Sequence, residues 1–198
     1  MTSVRVEAPA RLHMGMLDAA GGGTRRFGGL GVALSHPAAV VEAGSSDDVS
    51  AEGPDAERAL VVARRSREAL GLQGGVRIRV VETIPPHVGL GSGTKLALAV
   101  TAALAALAGQ TPEPGAIARA AGRGARSAVG LWTFVLGGLV VEGGVRPGVE
   151  QPAPLLARHP MPDEWRCVLV TPTPSRGSRG GRRRRRWGGC ARTPTAPR

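Results

Sequence analysis

Two hydrophobic periodicities organise this chain, with glycine and proline marking the junctions between them. Val76-Arg77-Ile78-Arg79-Val80-Val81-Glu82 sets Val76, Ile78 and Val80 on one face, the pattern of a half-buried strand. Val4-Arg5-Val6-Glu7 alternates likewise and predicts a short first strand; Pro37 to Ala43 and Glu164 to Val170 predict further strands. Asp55 to Leu70 predicts a helix: Pro54 precedes it, acidic residues fill its first turn and Gly71 follows. Ala59, Leu60, Val62, Ala63 and Leu70 give it an apolar stripe. Thr94 to Ala108 is apolar on nearly every side and predicts a buried helix stopped by Gly109. Gly115 to Ala121 predicts a short helix after the Thr111-Pro112-Glu113-Pro114 break, and Gly44 to Pro54 an acidic, polar loop.

The strand and the buried helix are joined by Pro85-Pro86-His87-Val88-Gly89-Leu90-Gly91-Ser92-Gly93-Thr94-Lys95. Gly89, Gly91 and Gly93 let this backbone curl so that its N–H groups face a ligand. The helix start adds unpaired N–H groups and the positive end of its dipole. Such a junction favours an anion, most often phosphate or pyrophosphate. Ser92 and Thr94 can cap the helix or offer hydroxyls, and Lys95 adds a charge in the first turn. The plainer alternative is a glycine-rich turn capped by Ser92. The spacing is GxGxG, so this is neither a Walker A loop nor GxGxxG.

A second concentration of chemistry lies nearer the start. Arg11, His13, Asp18, Arg25 and Arg26 fall within one glycine-rich span that predicts no packed element. Taken singly, His13 is a structural histidine and Asp18 a turn cap before Gly21-Gly22-Gly23. Taken together they suit a ligand site, and paired arginines suit a second phosphate, because a guanidinium binds two oxygens in one plane.

Composition changes the picture in one place. The net charge of +11 suggests nucleic-acid binding until it is located. Residues 171–198 hold nine Arg and no Asp or Glu, whereas residues 1–170 carry 17 basic and 15 acidic side chains. The body is nearly neutral. The tail lacks periodicity and predicts disorder with no site; a shifted reading frame in GC-rich DNA yields such Arg/Gly/Pro/Ala text. Two Cys support neither a disulfide framework nor a zinc site. The first residues lack a signal-peptide apolar core and no apolar run spans a bilayer, so a soluble cytoplasmic protein is expected.

The run from Pro85 through Ser92 resembles the phosphate-loop signature of the GHMP kinase superfamily, Pro-x-x-x-Gly-Leu-Gly-Ser. Its extension through Gly93-Thr94 resembles one branch, the β-ribofuranosylaminobenzene 5′-phosphate synthases, in which Gln rather than Lys95 usually follows. Arg11-x-His13-x-Gly15-x-x-Asp18, Arg26-Phe27-Gly28-Gly29 and Gly122-Arg123-Gly124-x-Arg126-Ser127-Ala128-x-Gly130 are similar to further runs of that branch. The resemblance covers residues 1–170, and Leu131-Trp132-Thr133 departs from it most. It implies an α+β fold: a GHMP-kinase-like N-terminal domain (ribosomal protein S5 domain 2-like) over residues 1–170, with the C-terminal half missing.

The resemblance also implies a reaction. Phosphoribosyl pyrophosphate condenses with 4-hydroxybenzoate or 4-aminobenzoate, releasing pyrophosphate and CO2, in methanopterin biosynthesis. Substrate binding falls to Arg11, His13, Arg25, Gly89, Gly91, Ser92, Gly93, Thr94, Arg126 and Ser127, and catalysis to Asp18, Arg26 and Lys95. Asp18 is also the expected ligand of a Mg2+ ion. Nucleic acid and membrane are not expected as partners; the intact family allows a homodimer. The competing class is an ATP-dependent GHMP kinase, and a third is an inactive truncated remnant. No Asp or Glu occurs between Glu113 and Glu142, where a GHMP kinase places its carboxylate base.

Overall fold

The long strand β2 (Phe27–Ser46) is the spine of the sheet. One side of it pairs antiparallel with β1 (Ser3–Asp18) along almost its whole length. Its other side is shared. Val40–Ser46 pairs with β4 (Gly75–Glu82), and Gly29–Val32 pairs with β5 (Leu139–Glu142), both antiparallel. Short β3 (Val49–Glu52) joins β4 in parallel and β6 (Leu155–His159) joins β5 antiparallel, giving the order β3-β4-β2-β5-β6. The computed structural model describes residues 3–18 and 23–170. The chain divides into Met1–Cys167 and Val168–Arg198. The tail expected at 171–198 lies outside the described residues.

Four helices accompany the sheet: α1 (Ala56–Ala69), α2 (Ser92–Leu107), α3 (Pro114–Ala120) and α4 (Val129–Val135). The architecture is the expected α+β. Helix α2 is its centre, packing on β1, β2 and the other three helices. Leu96, Ala97, Leu98, Ala99, Val100, Ala103, Leu104 and Ala105 are all buried, which explains an apolar pattern with no polar face. Small side chains let α1 and α2 approach closely enough for Ser66 Oγ and Thr101 Oγ1 to share a 2.8 Å hydrogen bond at the buried seam.

Several boundaries differ from the sequence reading, each for a physical reason. The first strand runs to Asp18 rather than stopping near Glu7, so Arg11, His13 and Asp18 sit on a strand. Among the described residues β1 pairs only with β2, so Pro9 and Gly15 are tolerated on a strand with a free edge. The predicted Pro37–Ala43 strand is the middle of β2, and the predicted acidic loop carries β3. The Glu164–Val170 alternation is not a strand: Trp165 and Val168 are 68% and 88% exposed, and no neighbouring strand pairs with this segment among the described residues. No helix among the described residues is long and apolar enough to cross a membrane.

The ladder between β1 and β2 breaks register at Pro9/Arg11 and again at His13/Gly15. Ala8 and Ala10 are buried up to the first break, and beyond it the odd-numbered Arg11 and His13 reach the glycine loop and Ser127. Gly31 of β2 permits the close packing here. A Cβ at that position would overlap Leu12 O and stand 2.6 Å from Val129 Cγ1. Gly31→Ala is therefore expected to destabilise the chain by about 1–3 kcal/mol, the usual range for overpacking. A urea-denaturation midpoint lower than that of the parent is the expected reading; an unchanged midpoint would show that β1 and α4 can separate without loss.

Candidate phosphate-loop site

The glycine loop delivers a helix end with no cap. Gly91 is the N-cap residue, at φ 85°, and no side chain bonds the first turn. The expected cap from Ser92 is absent because Ser92 is already the first helical residue. Thr94 and Lys95 N–H groups both donate to Gly91 O at 3.0 Å. The N–H groups of Ser92 and Gly93 have no acceptor among the described residues, which leaves two donors and the positive dipole end for a ligand. Thr94 turns its methyl towards Gly130, where a Cβ would stand 2.9 Å from it.

Two cations lie directly behind this open end. Arg11 Nη1 donates to Gly89 O at 2.6 Å and its backbone N–H to Leu90 O at 3.2 Å, so β1 holds the loop from beneath. Arg11 Nε is buried with no acceptor. Lys95, the single lysine of the chain, is completely buried. The sequence pattern expects it to offer its charge at the helix start; instead its side chain turns inward and Nζ donates to Thr133 Oγ1 at 3.0 Å, with the Phe134 ring centroid 5.9 Å away. Burial, with a further push from Arg11, lowers Lys95 to about 7. No carboxylate among the described residues forms an ion pair with either group.

A third cluster adjoins the first two. His13 Nε2 lies 3.4 Å from Ser127 Oγ, and Ser127 Oγ donates to Glu142 Oε1 at 3.1 Å. Glu142 is completely buried, and its carboxylate also accepts from the N–H groups of Ala128 (3.4 Å) and Gly144 (2.7 Å). Gly29 makes room for the imidazole, since a Cβ there would be 3.1 Å from Nε2. Burial and then Arg11 lower the His13 pKa, with Glu142 pulling the other way, so the ring favours its neutral form near neutral pH. Glu142 was not among the residues expected at the site. Its signal was present: Val140 and Glu142 are alternate residues of one strand, which puts a carboxylate on the same face as a buried valine.

The remaining expected residues are dispersed. Arg25 Nη1 donates to Gly144 O at 3.1 Å, behind Glu142, while exposed Arg26 is anchored by backbone bonds to Val145. Arg126 is exposed. Asp18 pairs with Phe27 at the end of β1 and accepts from Gly23 N at 3.3 Å. Seven residues of strand separate it from Arg11, roughly 20 Å at the strand rise. The expected juxtaposition of Asp18 with the glycine loop is therefore not what the sheet builds. Arg123, not expected at the site, reaches the loop, its Nη2 donating to Gly93 O at 3.0 Å.

A long paired strand, an uncapped glycine loop and a buried helix behind it are the parts of one known class. Residues 57–138 match the GHMP kinases N terminal domain. Its fold is shared with 4-(cytidine 5'-diphospho)-2C-methyl-D-erythritol kinase, at 28% identity and a TM-score of 0.55 over 78% of this chain and 55% of that one. Among curated proteins it is similar to several named beta-ribofuranosylphenol 5'-phosphate synthase. The Archaeoglobus fulgidus protein is 36% identical, covering 85% of this chain and 57% of its own length. That of Methanocaldococcus jannaschii is 32% identical, covering 84% and 59%. The chain thus spans less than two thirds of the length of these relatives.

The buried lysine has a pH signature. In the unfolded chain it titrates at about 10.4. From about pH 7 to about pH 10 the unfolded state holds a proton that the native state lacks, so stability rises with pH by at most ~1.4 kcal/mol per unit. Lys95→Met removes the buried charge and is expected to raise stability by about 1–4 kcal/mol at pH 7, with the gain shrinking towards pH 10. Thr133 Oγ1 keeps an acceptor in Val129 O at 2.7 Å. Parent and variant differ at this residue alone, so the difference between their urea melts at pH 7, 8.5 and 10 reports this group. A difference between parent and variant that is constant with pH would place the lysine charge in water.

Proposed function

We propose that this chain is the phosphate-loop portion of a synthase that condenses phosphoribosyl pyrophosphate with 4-hydroxybenzoate, the aryl donor whose product matches the relatives' name. The observation that carries the reading is the uncompensated positive charge behind the open start of α2. Lys95 and Arg11 stand together there without a carboxylate, and Ser92 and Gly93 point free N–H groups outward. A dianion at that place supplies the missing counter-charge. Pyrophosphate is the group that departs with a growing negative charge, and stabilising it lowers the barrier to leaving.

The reaction balances without an added reagent. The bond from the anomeric carbon to the pyrophosphate oxygen breaks, and its electron pair leaves with pyrophosphate. The ring carbon bearing the carboxylate attacks the anomeric carbon, and the carbon–carboxylate bond then breaks, returning its electrons to the ring and releasing CO2. The loop N–H groups bind the departing oxygens, Arg11 braces the loop, and Lys95 takes up a proton as the anion raises its pKa. Neutral His13, held by Ser127 and Glu142, offers the aryl substrate a hydrogen-bonding edge. Arg25, expected with Arg26 for the 5′-phosphate, is engaged with Gly144 O, while Arg26 lines the arginine-rich cleft described below. A Mg2+ ion needs one or two protein carboxylates beside phosphate oxygens. Asp18 is remote from the loop along β1 and Glu142 is committed to Ser127, Ala128 and Gly144, so no step is assigned to a metal. The same commitment weakens the kinase alternative, because Glu142 is not free to act as a base.

Titration calorimetry with pyrophosphate tests the loop. At pH 8 binding is expected to take up a proton, seen as a heat that changes with the ionisation enthalpy of the buffer. Gly91→Val places a branched side chain where even a Cβ would be 2.9 Å from Arg11 Nη1, at a φ that valine avoids, and is expected to abolish binding. Ser92→Ala deletes one hydroxyl and is expected to cost about 0.5–1.5 kcal/mol of affinity. A folded Gly91→Val chain that binds as the parent does, or phosphorylation of a small alcohol from ATP, would defeat the proposal. Release of labelled CO2 from carboxyl-labelled 4-hydroxybenzoate measures the full reaction.

A further inference from the structure

A cleft of about 590 Å3 opens on the far side of Arg123 from the glycine loop. Its walls carry guanidinium groups from separate elements: Arg65 from α1, Arg119 from α3, Arg123 from the turn that follows, Arg26 ahead of β2 and Arg146 after β5. Glu150 is the single acidic residue in the lining. Among the described residues none of these five arginines makes an ion pair, although Arg58 and Arg5 elsewhere do. Like charges thus gather, exposed, around one hollow without acidic partners. Gly122 lets the Arg65 guanidinium lie close against the backbone, for a Cβ there would overlap it. Arg123 is lowered by its burial and then by Arg58 and Arg65, as expected where cations crowd. The inner wall is apolar: Phe27 and Val145 line it and pack with Ala128, Ala153 and Trp132.

A solvated basic surface would spread its arginines over a convex face and pair them with acids. Here they converge from five segments on a concave space with an apolar wall. Guanidinium forks match the tetrahedral oxygens of phosphate better than a point charge does. We propose that this cleft is a separate binding site for a phosphate monoester on a small sugar, gripped by Arg65, Arg119 and Arg123, with the sugar against Phe27. Arg123 touches both this cleft and Gly93, so the two anion sites share one wall. If the reaction proposed above holds, the cleft receives the 5′-phosphate of phosphoribosyl pyrophosphate; that assignment, but not the existence of the site, rests on that reading.

Ribose 5-phosphate and pyrophosphate, titrated separately into the full chain, distinguish the two sites. A change in tryptophan fluorescence is a second readout, since one of the three indoles, Trp132, packs against the same apolar wall. Arg65→Gln combined with Arg119→Gln is expected to weaken ribose 5-phosphate about ten-fold or more, as loss of two charge-assisted contacts should, while moving pyrophosphate less than about two-fold. Gly91→Val should do the reverse. Both arginines are on the surface, and an unchanged denaturation midpoint in the double variant confirms that folding is intact. The proposal is overturned if the double variant binds ribose 5-phosphate as the parent does, or if both ligands weaken together, as a diffuse basic surface requires. It is also overturned if an RNA oligonucleotide binds the cleft and ribose 5-phosphate does not. Failure of pyrophosphate to bind the parent would sink the loop reading alone, and ribose 5-phosphate still decides the cleft.

Discussion

Positive charge buried behind the positive end of a helix is the constraint on which the site depends. Lys95, fully buried in the first turn of α2, and half-buried Arg11 beneath the glycine loop stand close together, and no carboxylate among the described residues forms an ion pair with either. A fully buried, unpaired ion such as protonated Lys95 costs several kcal/mol. The lysine can relieve part of that cost by releasing its proton, which is why burial drives it down to about 7, whereas a guanidinium has no such escape. The resting molecule therefore holds a strained electrostatic arrangement that an incoming dianion relaxes. Binding energy at this loop comes as much from removing repulsion as from forming hydrogen bonds.

The backbone makes that arrangement possible. An unbroken register in β1 would keep the even-numbered face of Ala8 and Ala10 inward; after the break at Pro9 the odd-numbered Arg11 and His13 reach the glycine loop and Ser127 instead. The spine strand β2 supplies the space, with Gly29 open to the His13 ring and Gly31 open to Leu12 and Val129. Two glycines on one strand and one irregularity on its neighbour thus set where a cation and an imidazole meet the glycine loop. The carboxylate that completes the His13–Ser127–Glu142 chain comes from β5, on the opposite side of β2.

Local signals made much of this legible. The strand β4, the glycine loop and α2 lie within a residue or two of where the periodicity puts them, because each is defined by its own pattern: alternation, a φ-permissive loop, and an apolar run ended by glycine. What the sequence hid depends on distant partners. Arg11 and His13 lie in a stretch of proline, glycine and charge that resembles a loop, and only pairing with the long strand β2 makes it a strand. Lys95 read as a surface charge because helix position alone does not say which way a side chain turns; Thr133 and Phe134, far along the chain, decide that. Glu164 to Val170 failed in the opposite sense, since alternation without a neighbouring strand stays irregular.

The seclusion of the single lysine has a practical consequence. Reagents that acylate amines, whether dyes, biotin esters or activated sensor surfaces, find no exposed ε-amine on this chain. Coupling is directed to the α-amine, so a labelled or immobilised population is uniform in its attachment point. Slow acylation of Lys95 under prolonged treatment would then act as a clock for opening of the protein interior behind the glycine loop, and any compound that seals the loop should slow that clock.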